Sequence, residues 1–238
     1  MTGKSLLTRR SPVVNAESRR GRGPSPHKTA QTRQAVARAA LELFIEQGYR
    51  GTPMSDVAER AGVAKGTVYR YFADKQALFA GVISDVLDDR VAALRAAEPG
   101  EGESLRNFLS RVVTPLLATV EGSPWMGLIR LVMTEGRESP EVAAIYRERV
   151  LDPVAEQIRR WAHAAAERGE IDSDALDRVP LLMLSPAVLA TMWTGLYPDE
   201  PMSIAETFES FLDLALGTGS AGDRSDPAQS SDPGSRQP

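Results

Sequence analysis

The sequence predicts an all-α chain of about nine helices, a compact three-helix helix-turn-helix unit followed by a larger helical domain. Three observations predict it. Apolar residues recur at i, i+3, i+4 and i+7 in segment after segment, the spacing of one helix face. Gly and Pro fall between those segments, where helices stop and start. No stretch alternates apolar and polar residues as a half-buried strand would, and no repeat of fixed period runs through the chain.

The first helix spans about 29–47, with Val36, Ala39, Ala40, Leu43 and Phe44 on one face, and Gly48 is a natural stop. Thr52-Pro53 opens the second: the hydroxyl as N-cap, proline at N1, then Met54, Val57, Ala58 and Ala61. Ala61-Gly62-Val63 turns the chain into a third helix over about 65–72. A fourth starts at Asp74-Lys75 and carries Leu78, Phe79, Val82, Ile83, Val86 and Leu87. Leu105, Phe108, Leu109, Val112 and Leu116 mark a fifth, and Pro124 and Gly136 bracket a sixth with Trp125, Leu128, Ile129 and Val132. A long seventh runs from Ser139-Pro140 to about Arg168 and kinks at Pro153, which lacks the amide a helix interior needs. The eighth covers about 174–196, and the ninth about 203–216, opened by a capping box of Ser203 and Glu206.

Composition excludes several chemistries. Cysteine is absent, so disulfides, thiolate metal sites and cysteine nucleophiles are ruled out. His27 and His163 are the only histidines, a poor start for a metal site, and no metal or cofactor is implied. No Gly-x-Ser-x-Gly, His-Glu-x-x-His or P-loop occurs, so no enzyme is expected. Gly217 to Gly222 spells Gly-x-Gly-x-x-Gly, but it follows a helix rather than a strand and is a chance match. Arg9, Arg10, Arg19, Arg20 and Arg22 lie near the start without the apolar core of a secretory signal, so the cytoplasm is the expected location. The uncharged run 179–198 is long enough to cross a bilayer, but Pro180, Pro186 and Gly195 interrupt it. Burial in a bundle or between subunits explains that run better, and no membrane partner is expected.

Charge is divided unevenly. Residues 1–75 hold 14 Lys and Arg against 6 Asp and Glu, whereas residues 76–238 hold 14 against 26. A cationic end on an acidic body suits a protein that offers one end to a polyanion. A solvated basic tail over residues 1–33 would account for much of the excess, so charge alone decides nothing. Residues 1–27 read as a disordered basic arm and 218–238 as a second disordered tail, both rich in Gly, Ser and Pro. Arg20 to Pro24 reads either as plain flexible tail or as an arm for a DNA minor groove.

The stretch from Thr52 to Lys75 carries the chemistry. Two short helices joined by a tight Gly-containing turn form a helix-turn-helix, whose second helix lies in the major groove of DNA. Val68 and Phe72, four apart, anchor that helix inward, leaving Lys65, Thr67, Tyr69 and Arg70 outward. Lysine and arginine donate to guanine, and hydroxyls serve bases or phosphates. Lys75 stands at a helix N-terminus, where the dipole also favours phosphate. The competing reading makes Tyr69, Tyr71 and Phe72 simple core aromatics.

These residues resemble a known family. Phe44 through Gly48-Tyr49, Asp56-Val57-Ala58, Ala61-Gly62-Val63, Lys65-Gly66-Thr67-Val68-Tyr69, Tyr71-Phe72, Lys75 and Leu78 are similar, without a gap over residues 30–80, to the N-terminal domain of TetR-family regulators. The resemblance implies a DNA-binding domain over 28–74 and a helical ligand-binding and dimerisation domain over 75–217. It implies a homodimer, joined through about 174–216, that binds double-stranded operator DNA as a repressor and answers to a small-molecule effector. A DNA-binding architectural or interaction protein without a ligand is the alternative. Position by position, the family's DNA contacts fall on Lys65, Gly66, Thr67, Tyr69, Arg70 and Tyr71, and its phosphate grip on Lys75; Thr52 is a further candidate DNA contact. Two positions depart from the pattern: Ala64 replaces the usual Ser cap of the recognition helix, and Pro53 replaces Ser or Thr, leaving Thr52 as the capping hydroxyl.

Beyond residue 80 the resemblance weakens. Phe108, Trp125, Ile129, Met133, Tyr146, Met183 and Trp193 are the candidate pocket residues, large or soft apolar groups suited to a mostly apolar ligand. Any of them equally suits plain core. Arg130 and His163 read as residues of a wet face. The uncharged helix 179–197 and the stripe Ile204, Phe208, Phe211 and Leu212 are the expected dimer surface.

Overall fold

The computed structural model describes residues 26–171 and 174–217, and these are helical with no strand. Of the expected arm, 1–27, residues 1–25 with the Arg20–Pro24 run lie outside them, as does the tail from 218 with most of the Gly217–Gly222 run, whereas Pro26 and His27 already belong to the first helix. Eleven α-helices follow in order: α1 Pro26–Gly51, α2 Met54–Arg60, α3 Lys65–Tyr71, α4 Lys75–Ala96, α5 Leu105–Ala118, α6 Pro124–Glu135, α7 Pro140–Tyr146, α8 Asp152–Glu167, α9 Ala175–Arg178, α10 Ser185–Leu196 and α11 Ile204–Leu216.

The excess over nine has a common cause. Between α7 and α8 the chain makes a π-helical turn, Arg147–Leu151, just before Pro153. Proline cannot donate back and its ring crowds the carbonyl four residues earlier, so the ladder widens by one residue there. The expected eighth helix divides likewise: α9 ends at Arg178, a 3-10 turn spans Pro180–Leu184, and Pro186 sits in the first turn of α10. Among the described residues no helix is long and apolar enough to cross a membrane.

Caps set the other boundaries. The Asp74 carboxylate accepts from the Ala77 amide at 2.7 Å and starts α4, while Ser104 does the same for Asn107 at 3.3 Å on α5. Ser203 accepts from the Glu206 amide at 3.3 Å as its half of the expected capping box. A residue 82 positions away supplies further acceptance: Glu121 receives the Ala205 amide at 3.0 Å and the Ser203 hydroxyl at 2.9 Å.

One apolar core runs through α1–α4 and onward into α6 and α7, holding Val36, Phe44, Val57, Val68, Phe79, Leu128 and Val142 together. Its centre is an aromatic cluster in which Phe44, Tyr49 and Phe79 meet at 5.5–5.6 Å between ring centroids. A second core joins α5, α8 and α11 through Phe108, Trp161, Phe208 and Leu212. Arg106 of α5 fastens that side, donating to Asp213 at 2.6 Å and to Glu209 at 3.2 Å on α11.

The position of α3 depends on close packing against α4. Phe72 at its end lies so near α4 that a Cβ added at Gly81 would meet the ring carbon Cε1 at 2.4 Å. Gly81→Ala is therefore expected to destabilise the protein by about 1–3 kcal/mol, the usual cost of overpacking a filled core. A fall in thermal midpoint without loss of helix content would confirm it; an unchanged midpoint would show that Phe72 can move aside.

Candidate nucleic-acid interface and ligand cavity

α2 and α3 form the helix-turn-helix. Gly62, at φ 66°, turns the chain between them, a conformation that L side chains adopt at a cost. Val68 and Phe72 are buried as the spacing requires, which fixes the opposite face of α3 outward. On that face Lys65 and Gly66 are exposed, Thr67 is half-buried, and Tyr69 keeps 45% of its surface in solvent. A Cβ at Gly66 would meet nothing within 4 Å, so the fold itself does not require glycine there. The N-cap of α3 is Ala64, which offers no side-chain hydrogen bond, as its identity dictates.

Charge sharpens this face by elimination. Arg60 is tied to Glu42 and Glu46, Arg33 to Asp85, and Arg50 to Glu138. Lys65 and Arg70 have no carboxylate partner among the described residues. Arg70 instead lies over the Tyr71 ring, 5.1 Å from its centroid, and its hydrogen bond to the phenol lowers the Tyr71 pKa. Tyr71 is half-buried, between core and surface.

Two expected contacts stand differently. Thr52 is 1% exposed, and its hydroxyl donates to the Gly48 carbonyl at 2.8 Å. It neither caps α2, whose N-cap is Pro53 with no side-chain bond, nor faces outward. The inward hydroxyl satisfies a carbonyl left open where α1 ends. Lys75 is partly buried: its ammonium donates to the Arg50 carbonyl at 3.2 Å and lies 4.7 Å from the Tyr49 ring centroid. Burial lowers its pKa against the opposing pull of Glu135 and Glu141. It braces the end of α1, with other N–H donors of the ammonium left over.

That end of α1 is also held from the larger domain. Gly48 adopts φ 78°, ψ 165°, which breaks α1 before its last short turn, Tyr49–Gly51, and turns the Tyr49 and Arg50 amides toward α6. The Glu135 carboxylate at the end of α6 accepts both, at 2.9 and 3.4 Å. A Cβ at Gly48 would come within 2.1 Å of Glu135 Oε1, so the carboxylate fits only beside glycine.

The same α6 walls a cavity of about 390 Å³, within the range of small-molecule sites. Trp125, Ile129, Met133, Tyr146 and Met183 line it, joined by Arg90, Val91 and Leu94 of α4, Leu109 and Val113 of α5, and Val188 and Thr191 of α10. Two candidates lie elsewhere. Phe108 is fully buried in the second core, edge-on to Trp161 at 5.0 Å. Trp193 packs at a tilt against Tyr197, with ring centroids 4.7 Å apart, and donates to the Glu200 carbonyl at 2.9 Å. Arg130 and His163 are exposed, the latter 3.1 Å from Asp177. Arg90 and Glu135 went unnoticed in the sequence. Arg90 left a trace, a charge in helical register with Leu87 and Leu94, whereas Glu135 left none.

The expected dimer stripe on α11 also divides. Ile204, Phe208 and Leu212 are buried within this chain's own cores, because α11 turns that face onto α5. The apolar residues left outward are Val188, Leu189, Met192 and Leu196 on α10 and Leu214, 88% exposed, on α11.

Comparison with known proteins bears on both the helix-turn-helix and the larger helical domain. The family profile described as bacterial regulatory proteins, tetR family, matches residues 37–82, and a tetracyclin repressor-like C-terminal domain profile matches residues 98–207. The HTH-type transcriptional regulator UidR of Escherichia coli (strain K12) is 30% identical over 162 residues, 67% of this chain and 80% of that protein. The HTH-type transcriptional regulator TcmR of Streptomyces glaucescens is 30% identical over 201 residues, covering 81% and 86% respectively. The solved structure of Salmonella enterica GusR superposes with a TM-score of 0.59 at 25% identity, over 82% of this chain and 98% of that one.

Glu135→Ala strips the partly buried Tyr49 amide of its acceptor. A loss of about 1.5–3 kcal/mol is expected, as for other hydrogen bonds to charged groups. Chemical denaturation of Glu135→Ala and Glu135→Gln measures it, with the amide variant intermediate. Equal stability of all three proteins would mean that water replaces the carboxylate.

Proposed function

The chain belongs to the tetR family of bacterial regulatory proteins, and from that premise we propose that it is a homodimeric repressor that binds a palindromic operator and releases it on taking a small molecule into the cavity. It is a DNA-binding transcriptional regulator. The observation that carries the operator reading is the outward face of α3, with Lys65, Tyr69 and Arg70 uncommitted to any carboxylate among the described residues and Gly66 leaving room for close approach. Lys65 and Arg70 suit guanine edges or phosphates, and the exposed Tyr69 ring and hydroxyl suit a sugar-phosphate wall. Lys75 acts from behind, bracing the end of α1 and offering its remaining donors to a phosphate. Thr52 supports the turn without touching DNA.

Dimerisation supplies the symmetry. The apolar face of α10 and α11 is proposed to meet its copy, placing two α3 helices about 34–36 Å apart, one turn of B-DNA. Exposed aliphatic side chains gathered on two adjacent helices support an obligate, apolar interface.

Release is proposed to run through α6. Trp125, Ile129 and Met133 meet the ligand, and Glu135 at the same helix's end holds the turn between α1 and α2. A ligand that prefers a shifted α6 prefers a shifted spacing of the recognition helices, and so lowers operator affinity by the same coupling energy.

Selection from a random duplex library with the purified full chain tests the operator reading. The wild type is expected to enrich a two-fold symmetric sequence. Tyr69→Ala should bind that sequence at least about tenfold more weakly, the scale of one base or phosphate contact. Gly66→Ala should also bind more weakly while melting no lower than wild type, since alanine suits a helix better than glycine. No enriched sequence, or full affinity in Tyr69→Ala, would overturn the placement. Separately, Met192→Asp with Leu214→Asp should convert the dimer to a monomer in sedimentation and lose operator binding; a dimer that persists would place the interface elsewhere.

A further inference from the structure

The cavity wall is apolar almost throughout, yet three hydrogen-bond donors on it have no acceptor among the described residues. Arg90 lies half-buried on α4, one helical turn from Leu87 and Leu94, and no carboxylate among the described residues comes within ion-pair distance of it. The Tyr146 hydroxyl and the Trp125 indole N–H likewise have no protein partner among those residues, although both keep accessible surface. Their rings are neighbours, 6.1 Å apart. The other polar groups on the wall are already occupied. Thr191 donates to the Ala187 carbonyl at 2.6 Å, and the Trp161 indole donates to the Ala97 carbonyl at 3.3 Å.

This inventory is one-sided. Arginine is always charged and donates only, and the indole nitrogen donates only. Burial pushes the Tyr146 phenol up to about 12, so it too keeps its proton at neutral pH. A ligand bringing a cation would face the fixed charge of Arg90, and a bare donor would find only the hydroxyl oxygens of Tyr146 and Thr191 to receive it. A ligand without polar groups would leave a guanidinium on an apolar wall desolvated and unpaired, a costly arrangement. The planar fork of arginine matches a carboxylate in two parallel hydrogen bonds.

We propose that the cavity takes an anionic amphiphile, an apolar body carrying one compact oxyanion head such as a carboxylate, with the head held by Arg90 and the donors of Trp125 and Tyr146. This rests on the cavity being the effector site, and it names the chemical class of that effector. The apolar body lies along the aliphatic walls supplied by α5, α6 and α10. Arg90 then acts as the selector for the head, and its place on α4, the helix that follows the recognition helix, puts the charged end of the ligand on the element nearest the DNA-binding unit.

Calorimetric titration of the full chain with dodecanoate, dodecanol and dodecylamine, three probes that differ only in the head, tests the proposal. Dodecanoate is expected to bind at least about tenfold more tightly than either other probe, 1.4 kcal/mol by the usual conversion. Arg90→Gln should remove that preference, bringing dodecanoate down to about the affinity of dodecanol in the same variant, and Arg90→Lys should restore part of it. Dodecanol or dodecylamine binding as well as dodecanoate, or an unaltered preference in Arg90→Gln, would overturn the head assignment alone. Binding of none of the three, with the apolar dye Nile red also excluded, would instead overturn the effector-site reading beneath it.

Discussion

The hydrogen bonds from the Tyr49 and Arg50 amides to the Glu135 carboxylate are the constraint on which the arrangement turns. They join the stop of α1 to the end of α6 across some 85 residues of sequence, and both partners are shaped for it. Gly48 supplies the left-handed backbone that exposes the amides, and its missing Cβ leaves the space the carboxylate fills. Lys75 reinforces the same corner from α4, through the Arg50 carbonyl and the Tyr49 ring. The orientation of α2 and α3 follows from this corner, because Thr52 is hydrogen-bonded back to Gly48 and the chain enters α2 directly afterward.

A corner held in this way joins the two halves of the molecule mechanically. The first core passes from the recognition helix through Phe72, Phe79 and Val82 into Leu128 and Leu131 of α6. Interiors packed at this density deform little, so a displaced helix moves its neighbours rather than compressing them. α4 and α6 are walls of the cavity and also supports of the helix-turn-helix. Through that shared membership, the proposed ligand would have two routes to the helix-turn-helix, by the Glu135 corner and along α4 from Arg90.

Most of the secondary structure was legible because Gly, Pro and capping residues punctuate this chain heavily. The apolar faces of α1, α2 and α4 fell where the spacing put them, and Val68 and Phe72 oriented α3. The divided helices were less legible: proline signals a disturbance, but whether the helix kinks, widens into a π turn or breaks depends on what it packs against. Phe108 and Trp193 show the same limit for the cavity. Their size and spacing matched those of Trp125 and Tyr146, and only the placement of α5 against α8, and of Trp193 against Tyr197, took them away from it.

By itself the sequence determined the helical class, the helix-turn-helix and the residues its second helix turns outward, because these follow from contacts between residues a few positions apart. Tertiary structure alone decided which apolar faces meet. It sent Ile204, Phe208 and Leu212 inward onto α5, left Leu214 and Met192 outside, turned the Thr52 hydroxyl inward, and set Arg90 on an apolar wall and Glu135 beside Gly48. The physical reason is that an amphipathic pattern records that a face is buried but not against what. Partners separated by some 85 residues leave no periodic trace in the chain that carries them.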